Sequence, residues 1–276
     1  MNIIDGKALA EKLRAELKEK IEKAESKPGL AVVIVGEDPA SRIYVRNKIR
    51  ACEQLGIRSY SYELPAVATQ QEVEDLLDSI AVNDEIDGIL LQLPLPAHLN
   101  AERAMSRIPF EKDVDGFSEE NLGLLMKNKP KIVACTPLGV MKILENEGVE
   151  IAGKNAVVLG RSETVGKPMA MLLLNANATV TICHSKTKNI VDICKNADIL
   201  VSAVGKAKFV TADMVKDGAV VIDVGMNRDA EGKLCGDVDF ENVKDKASRI
   251  TPVPGGVGPM TITMLMYNTC LAAYKE

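Results

Sequence analysis

The sequence predicts an α/β protein of two domains, each built on a mostly parallel β-sheet. Two observations carry this prediction. Short, continuously apolar segments recur along the chain, and segments with a helical pattern separate them. Uninterrupted apolar strands are typical of parallel sheets that are buried on both faces. A chain of 276 residues is also long enough for two modest domains.

The first half of the chain has the pattern of a βαβαβ unit. Apolar residues four apart predict a surface helix over residues 7–24, and an apolar strand follows at 30–35. The remaining elements expected here are a helix from 41 to 55, a strand at 58–64, a helix at 70–82 and a strand at 89–93. Glu37 and Asp38 follow the first strand and would repel phosphate, so we expect this half to bind the substrate.

The second half shows regular alternation of strands and helices after an irregular stretch at 117–133. Four strands are expected, at 156–159, 178–183, 198–204 and 219–224. A helix starts at 136, and an apolar helix runs from 260 to about 274. We expect one domain over 1–119, joined by the C-terminal helix 260–276, and a Rossmann-type domain over 120–259.

A glycine-containing turn follows the strand at 156–159. Gly160, Arg161 and Ser162 precede a helical pattern that begins near Gly166. Such a turn lets backbone N–H groups approach a pyrophosphate at the positive end of the helix. Ser162 replaces the second glycine of the usual motif, so the turn alone is equally consistent with an ordinary strand-to-helix connection.

The end of the next strand indicates which dinucleotide would bind. In units specific for NAD, a carboxylate about 20 residues after the glycines takes the ribose hydroxyls. Here the strand ends in His184-Ser185-Lys186-Thr187-Lys188, and no acid appears before Asp192. Together with Arg161, this basic and hydroxyl-rich tip favours a 2′-phosphate, so we expect NADP as the cofactor.

Composition excludes several functional classes. The net charge is −5 and no basic block is present, which argues against nucleic acid as a partner. No apolar run approaches membrane-spanning length, and the N-terminus does not resemble a signal peptide, so we expect a cytoplasmic protein. Six scattered cysteines and two lone histidines lack metal-ligand spacing, so we expect no metal. Cys183, Cys194 and Cys270 are expected in the core.

The helix expected after residue 41 carries three polar side chains on one face. Ser41, Tyr44 and Lys48 are spaced i, i+3 and i+7. Spacing alone favours a solvated face. The functional interpretation makes Lys48 a proton donor and acceptor and Tyr44 a ring for stacking. Gln92 lies at the end of the third strand, where ligands of open α/β sheets bind, and its amide could bond Lys48 or a substrate carbonyl.

Two further segments have both a structural and a functional interpretation. Asp113 and Asp115 lie on a predicted turn, where one carboxylate could bind an amino-heterocycle, although a plain Asx turn is about as consistent. Residues 254–259 include three glycines and two prolines, which favours a ligand-lining loop over a flexible linker.

Together these segments resemble the bifunctional methylenetetrahydrofolate dehydrogenase/methenyltetrahydrofolate cyclohydrolase family. The similar motifs run in order over essentially the whole chain, and they are Ser41-x-x-Tyr44-x-x-x-Lys48, Gln92-Leu-Pro-Leu-Pro, Lys112-Asp-Val-Asp115-Gly, Cys135-Thr-Pro-x-Gly139, Gly160-Arg-Ser-x-x-Val-Gly-x-Pro168, Cys183-His-Ser-Lys-Thr187 and Pro252-Val-Pro-Gly-Gly-Val-Gly-Pro-Met-Thr261. Two positions depart from the family pattern: Ala134, where many relatives have Pro, and Met226, where Ile is frequent.

The resemblance implies a fold, an activity and a set of site residues. It implies a folate-binding N-terminal domain, an NADP-binding Rossmann-type domain, a cleft between them and a homodimer acting in one-carbon metabolism and purine biosynthesis. Carried over by motif, the catalytic residues would be Lys48, Tyr44 and Gln92. The remaining positions form two sets. Folate would contact Tyr44, Ser41, Gln92, Leu93, Asp115, Pro254, Gly255 and Gly258, and NADP would contact Gly160, Arg161, Ser162, Ser185 and Met226.

Three alternatives stay open from the sequence. One is a monofunctional methylenetetrahydrofolate dehydrogenase on the same scaffold, although the intact Tyr44, Lys48 and Gln92 argue against it. Another is a non-catalytic NADP-binding sensor, which would need no lysine at this position. The weakest is an unrelated two-domain dehydrogenase of the shikimate type.

Overall fold

The computed structural model describes residues 3–275. The chain divides into two compact units. The three-strand unit comprises Lys12–Cys135 and the chain from Ile262 onward, and the five-strand unit comprises the residues up to Glu11 together with Thr136–Thr261. The chain passes from one unit to the other within three helices, at Glu11, Cys135 and Thr261. The three-strand unit thus extends to Cys135, beyond residue 119, where the sequence placed the end of the first domain.

In the first part of the chain, strands and helices alternate in the predicted order. The elements up to Met126 are α1 (Gly6–Lys23), β1 (Gly29–Val35), α2 (Pro39–Leu55), β2 (Arg58–Leu64), α3 (Gln70–Ala81), β3 (Gly88–Leu91), α4 (Ala101–Met105) and α5 (Glu119–Met126). The parallel sheet has the order β2–β1–β3. The central strand β1 is buried along its whole length, as its apolar sequence requires.

From Cys135 the chain forms the larger sheet. The elements are α6 (Cys135–Asn146), β4 (Asn155–Leu159), α7 (Gly166–Asn175), β5 (Thr179–Cys183), α8 (Ile190–Cys194), β6 (Ile199–Ser202), a 3₁₀ turn (Ala212–Met214), β7 (Val220–Asp223), β8 (Asn227–Arg228), β9 (Leu234–Cys235), α9 (Phe240–Val243), β10 (Arg249–Ile250) and α10 (Val257–Tyr274). The five parallel strands have the order β10–β7–β6–β4–β5, and β8 pairs with β9 as a separate antiparallel hairpin.

The strand order creates a switch point beside β4. Strand β5 pairs with β4 on one side, and β6 pairs with it on the other. In open α/β sheets, ligands bind outside the carboxyl ends of the strands where the order reverses in this way. The turns after β4 and after β6 therefore flank the position where a dinucleotide is expected.

Several elements differ from the sequence-based expectation. Helix α5 forms within the stretch expected to be irregular, and β10 is a fifth strand of only two residues. Helix α10 begins at Val257 rather than at 260, so the last residues of the 254–259 segment are helical. Pro259 is accommodated there because the first turn of a helix contains N–H groups without helical partners.

The core contains the expected cysteines. Cys183, Cys194 and Cys270 are all buried, as predicted. None of the helices within residues 3–275 combines the length and the apolar character needed to cross a bilayer.

Candidate functional site

Helix α2 presents the polar face predicted from its spacing. Asp38 caps this helix, since its Oδ1 accepts a hydrogen bond from the Ser41 N–H at 2.7 Å. Along the face, Ser41 is buried, Lys48 is half-buried and Tyr44 is 41% exposed. The cap fixes the start of the helix, and the half-buried Lys48 is therefore held on a rigid element.

Lys48 contacts the residue that follows β3. Its Nζ donates a hydrogen bond to Gln92 Oε1 at 3.0 Å. The Gln92 Nε2 in turn donates to the Leu93 carbonyl at 2.6 Å, and the Gln92 backbone N–H donates to the Val33 carbonyl at 2.8 Å. The amide is therefore oriented with its oxygen toward the ammonium. The structure thus brings together Lys48 and Gln92, which are 44 positions apart in the sequence.

Asp113 organises the turn that carries the second carboxylate. Its Oδ1 accepts a hydrogen bond from the Gly116 N–H at 3.0 Å. Its Oδ2 accepts from the Ser118 N–H at 2.7 Å and from Asn121 Nδ2 at 3.1 Å. Asp113 is buried, so its carboxylate is committed to these internal bonds. Asp113 therefore has the structural role of closing the turn, and Asp115 stays the candidate for ligand binding.

Asp115 lies within the electrostatic reach of Lys48. Burial raises the pKa of Asp115 to about 6, the Lys48 ammonium opposes that rise, and the charge of Asp113 adds to it. A perturbed carboxyl beside a half-buried lysine is a frequent feature of functional sites. Within the three-strand unit, Lys48, Gln92 and Asp115 therefore form the candidate catalytic cluster.

Asn268 on α10 supports the backbone behind this cluster. Its Nδ2 donates to the Val114 carbonyl at 2.9 Å and to the Val133 carbonyl at 2.8 Å. The Cys135 thiol also donates to the Val114 carbonyl, at 3.4 Å. Burial raises the pKa of the Cys135 thiol well above its usual value, so the neutral thiol is favoured here. Asn268 was not singled out in the sequence, because its partners are more than a hundred positions away.

The glycine turn after β4 is tightly closed in the five-strand unit. A Cβ at Gly160 would lie 2.3 Å from the Ala203 carbonyl oxygen, and a Cβ at Gly166 would lie 2.3 Å from the Gly160 carbonyl oxygen. The two glycines thus allow the close strand-to-helix packing that dinucleotide-binding turns need. The exposed Ser162 closes the turn that leads into α7, with its Oγ accepting from the Val165 and Gly166 N–H groups at 3.2 and 3.3 Å.

The end of β5 forms a short basic turn. The His184 N–H donates to Thr187 Oγ1 at 2.9 Å, and the Thr187 N–H donates to the His184 carbonyl at 2.8 Å. This closure leaves Ser185 and Lys186 exposed at the tip, and Arg161 is exposed in the glycine turn. A carboxylate that would repel a 2′-phosphate does not occur in the 184–188 segment, so these residues fit NADP.

The remaining predicted residues fall into two places. Leu93 follows Gln92 in the three-strand unit, whereas Pro254, Gly255 and Gly258 belong to the five-strand unit. Met226 is 51% exposed, and a Cβ at Gly258 would lie 3.7 Å from its Cε atom. Among residues 3–275, no group of three His, Cys, Asp or Glu side chains is placed to hold a metal ion.

Fold and site together define a two-domain α/β protein with a dinucleotide-binding turn in one unit and a lysine-centred cluster in the other. Residues 4–115 match the tetrahydrofolate dehydrogenase/cyclohydrolase catalytic domain, and residues 134–276 match the NAD(P)-binding domain of the same enzymes. The chain belongs to the tetrahydrofolate dehydrogenase/cyclohydrolase family.

Known proteins match this chain over its full length. The chain is 53% identical to the bifunctional protein FolD of Agathobacter rectalis, over 100% of this chain and 99% of that protein. The crystal structure of the FolD dehydrogenase/cyclohydrolase of Campylobacter jejuni matches with a TM-score of 0.97 at 47% identity, over 99% of this chain and 98% of that one. The crystal structure of the Trypanosoma brucei FolD enzyme, complexed with NADP and an inhibitor, matches with a TM-score of 0.94 at 41% identity, over 99% of this chain and 97% of that one.

These comparisons confirm the enzyme class predicted from the sequence, which combines a methylenetetrahydrofolate dehydrogenase with a methenyltetrahydrofolate cyclohydrolase. They favour it over a monofunctional dehydrogenase or a non-catalytic sensor. The shikimate dehydrogenase of Thermus thermophilus shares only the fold, with a TM-score of 0.54 at 15% identity over 89% of this chain and 99% of that one.

Proposed function

We propose that the chain oxidises methylenetetrahydrofolate with NADP to methenyltetrahydrofolate and then hydrolyses that product to formyltetrahydrofolate. The observation that carries this proposal is the hydrogen bond from Lys48 Nζ to Gln92 Oε1 at 3.0 Å, with the Asp115 carboxyl in its field. The cluster has an oriented group for proton transfer and a carboxyl for a polar ligand. Relatives with both activities in their names support the assignment.

For the oxidation, the protein needs to bind and orient its ligands rather than form a covalent bond. NADP, when bound, accepts a hydride from the methylene carbon. The neighbouring folate nitrogens stabilise the cation that remains, so positioning is most of the task. We assign stacking of the folate ring system to Tyr44, aided by Ser41 and Leu93, and the grip on its amino-heterocycle to Asp115.

For the hydrolysis, protons must be moved. Water adds to the methenyl carbon and loses a proton. One carbon–nitrogen bond then breaks as the new hydroxyl group loses its proton and becomes the formyl oxygen, and the departing nitrogen gains a proton, so that one proton is released overall. We assign these transfers to the Lys48 amino group, which can hold or release a proton beside Gln92. Gln92 keeps the amine in one position because its own amide is held by the Leu93 carbonyl.

The NADP site is assigned to the five-strand unit. Gly160 and Gly166 provide the closed turn, and Arg161, Ser162 and Ser185 are the exposed polar groups at that turn and at the end of β5. We also assign Met226 to the cofactor and Pro254, Gly255 and Gly258 to the folate pocket, from the family motif. A cleft between the domains stays a prediction.

The family resemblance also implies an assembly and a cellular setting. We infer a cytoplasmic homodimer that acts on tetrahydrofolate one-carbon derivatives, without nucleic acid or membrane as partners, and supplies formyl groups for purine biosynthesis. Light scattering of the purified protein tests the dimer directly. A mass of one chain at micromolar concentration would contradict it.

The first experiment follows NADPH and methenyltetrahydrofolate at separate wavelengths after mixing the protein with methylenetetrahydrofolate and NADP. It compares wild type, Lys48→Ala and the control Arg46→Ala, which removes an exposed basic side chain from the same helix. We expect wild type and control to form NADPH without much methenyl product, and Lys48→Ala to accumulate that product.

Other outcomes would change the assignment. Accumulation of methenyl product by wild type and Lys48→Ala alike would indicate a dehydrogenase without cyclohydrolase activity. Absence of NADPH formation by wild type, with NAD also tried, would contradict the proposed function and favour the sensor.

A further inference from the structure

Two buried carboxylates in the five-strand unit have no role in the chemistry assigned above. Asp223 ends β7 and is 3% exposed, and Asp237 follows β9 and is 0% exposed. Buried carboxylates are costly unless hydrogen bonds compensate them. The arrangement of their partners indicates what this pair does.

Asp223 and Asp237 each pack against the chain segment that carries the other. Asp223 Oδ1 accepts hydrogen bonds from the Gly225 and Asp237 N–H groups, both at 2.9 Å, and its Oδ2 accepts from the Val238 N–H at 2.8 Å. A Cβ at Gly236 would lie 1.9 Å from Asp223 Oδ2, and a Cβ at Gly225 would lie 2.3 Å from Asp237 Oδ1. Each carboxylate therefore covers a glycine of the other segment.

Asp237 also holds the turn that follows β6. Its Oδ2 accepts from the Val204 and Gly205 N–H groups at 2.7 and 3.3 Å, and its Oδ1 accepts from the Lys206 N–H at 2.9 Å. Two side chains complete the set, since Ser202 Oγ donates at 3.1 Å and Asn227 Nδ2 donates at 2.9 Å. Five donors thus converge on one carboxylate.

The anchored turn lies at the switch point of the sheet. Strand β6 is the direct neighbour of β4, and the Gly160 turn packs against the Ala203 backbone. Residues 204–206 therefore face the glycine turn across the carboxyl ends of these two strands. Asn227, which also bonds Asp237, is the next residue after Met226, so the same carboxylate constrains both segments.

We propose that Asp237 is a positioning residue for the dinucleotide, which holds the 204–206 turn and the Met226 segment in place beside the glycine turn. The proposal rests on the proposed NADP-dependent function and adds a residue to its site. An amide cannot replace this carboxylate, because its NH2 group would face N–H donors and its single oxygen cannot accept from all five. The 204–206 N–H groups are already satisfied by Asp237, so the turn acts through its shape.

The test compares wild type, Asp237→Asn and the control Asp198→Asn. Asp198 also accepts a backbone hydrogen bond, from the Asn155 N–H at 2.9 Å, but it precedes β6 at the opposite end of the strands. For each protein we would measure the KM for NADP, the hydrolysis of methenyltetrahydrofolate without NADP, and urea unfolding. NADP binding to wild type by calorimetry tests the proposed function separately.

We expect Asp237→Asn to raise the KM for NADP by about tenfold or more, because N–H groups of the 204–206 turn lose a carboxylate oxygen that accepts their hydrogen bonds. Hydrolysis per folded molecule should stay within about twofold of wild type, because Lys48 and Gln92, to which the proton transfers of that step are assigned, belong to the three-strand unit. The control should lose stability without a change in the KM for NADP.

An unchanged KM for NADP, or an equal fall of both activities in step with the folded fraction, would overturn the proposal and leave Asp237 a purely structural residue. If Asp237→Asn does not fold, Ser202→Ala and Asn227→Ala each remove a single donor, and each should raise the KM for NADP by about threefold. No rise in either variant would also overturn it. Failure of wild type to bind NADP would contradict the proposed function itself.

Discussion

Lys48 and Gln92 form a fixed donor–acceptor pair. The Lys48 Nζ donates to Gln92 Oε1 at 3.0 Å, and Gln92 Nε2 is held by the Leu93 carbonyl at 2.6 Å. The amide cannot exchange its two ends without breaking both bonds. The chain that follows β3 therefore determines where the flexible lysine side chain rests.

Replacing Gln92 by Leu should slow the hydrolysis of methenyltetrahydrofolate by about tenfold or more, because Lys48 loses its oriented partner. NADPH formation should fall less, since the oxidation needs no proton transfer by Lys48. The control is Gln71→Leu, which removes an exposed amide bonded to Asp75 on α3. Equal slowing of both reactions would contradict the assignment of Gln92 to the hydrolysis.

Asp115 should make folate binding depend on pH in an unusual range. Burial raises its pKa to about 6, so the carboxylate is lost as pH falls through that value. A protonated carboxyl accepts hydrogen bonds from an amino-heterocycle less well. The KM for methylenetetrahydrofolate should therefore rise as pH falls from about 7 to about 5, and Asp115→Asn should remove most of this dependence.

The same raised pKa predicts the direction of a stability change. The folded protein holds the Asp115 proton up to a higher pH than the unfolded chain, whose carboxyl has the ordinary value of 3.8. The stabilising contribution is therefore present below about pH 4 and is lost as pH rises through about 6. Urea unfolding should be measured for wild type and Asp115→Asn across this range. As pH rises, the free energy of unfolding of wild type should fall relative to that of Asp115→Asn. Parallel curves would contradict the shift.

Gly166 should tolerate no side chain. A Cβ there would lie 2.3 Å from the Gly160 carbonyl oxygen, so Gly166→Ala must displace the turn or the start of α7. We expect a loss of about 1–3 kcal/mol in the free energy of unfolding, together with weaker NADP binding. The control Gly123→Ala lies in α5 with no atom within 4 Å of the added methyl group, and it should be neutral or slightly stabilising.

Arg161 and Lys186 should set the preference for NADP over NAD. Both are exposed, and together with Ser185 they form the basic surface predicted for the 2′-phosphate. Arg161→Gln and Lys186→Gln should each lower kcat/KM for NADP by about tenfold, with little effect on kcat/KM for NAD. Lys167→Gln is the control, because Lys167 lies on α7 and is paired with Glu163 in the preceding turn. Equal losses with both cofactors would indicate a general effect on binding.

Local patterns were sufficient for most of the fold. The continuous apolar character of β1 and β4 predicted buried parallel strands, and both are buried where the sequence placed them. Helix α5 was missed because its eight residues include Gly123 and the buried Asn121, which weaken the helical pattern. Strand β10 was missed because two residues carry no period, and it forms by pairing with β7.

By itself the sequence determined the class of protein and the residue types available for chemistry. The helical spacing of Ser41, Tyr44 and Lys48, the glycine turn and the basic tip after β5 are local features, and local geometry follows from local sequence. Only the tertiary structure showed that Asp113 is structural. Asp113 is committed by its bonds to Ser118 and Asn121, and Asp115, which the family motif had already indicated, stays the candidate for the ligand.

The tertiary structure alone also identified Asn268 and Asp237. Asn268 bonds carbonyls 154 and 135 positions away, and Asp237 bonds N–H groups 31 to 33 positions away. A buried polar side chain owes its role to the partners that surround it, and those partners come together only when separate strands and helices pack. No spacing rule along one segment can contain that information.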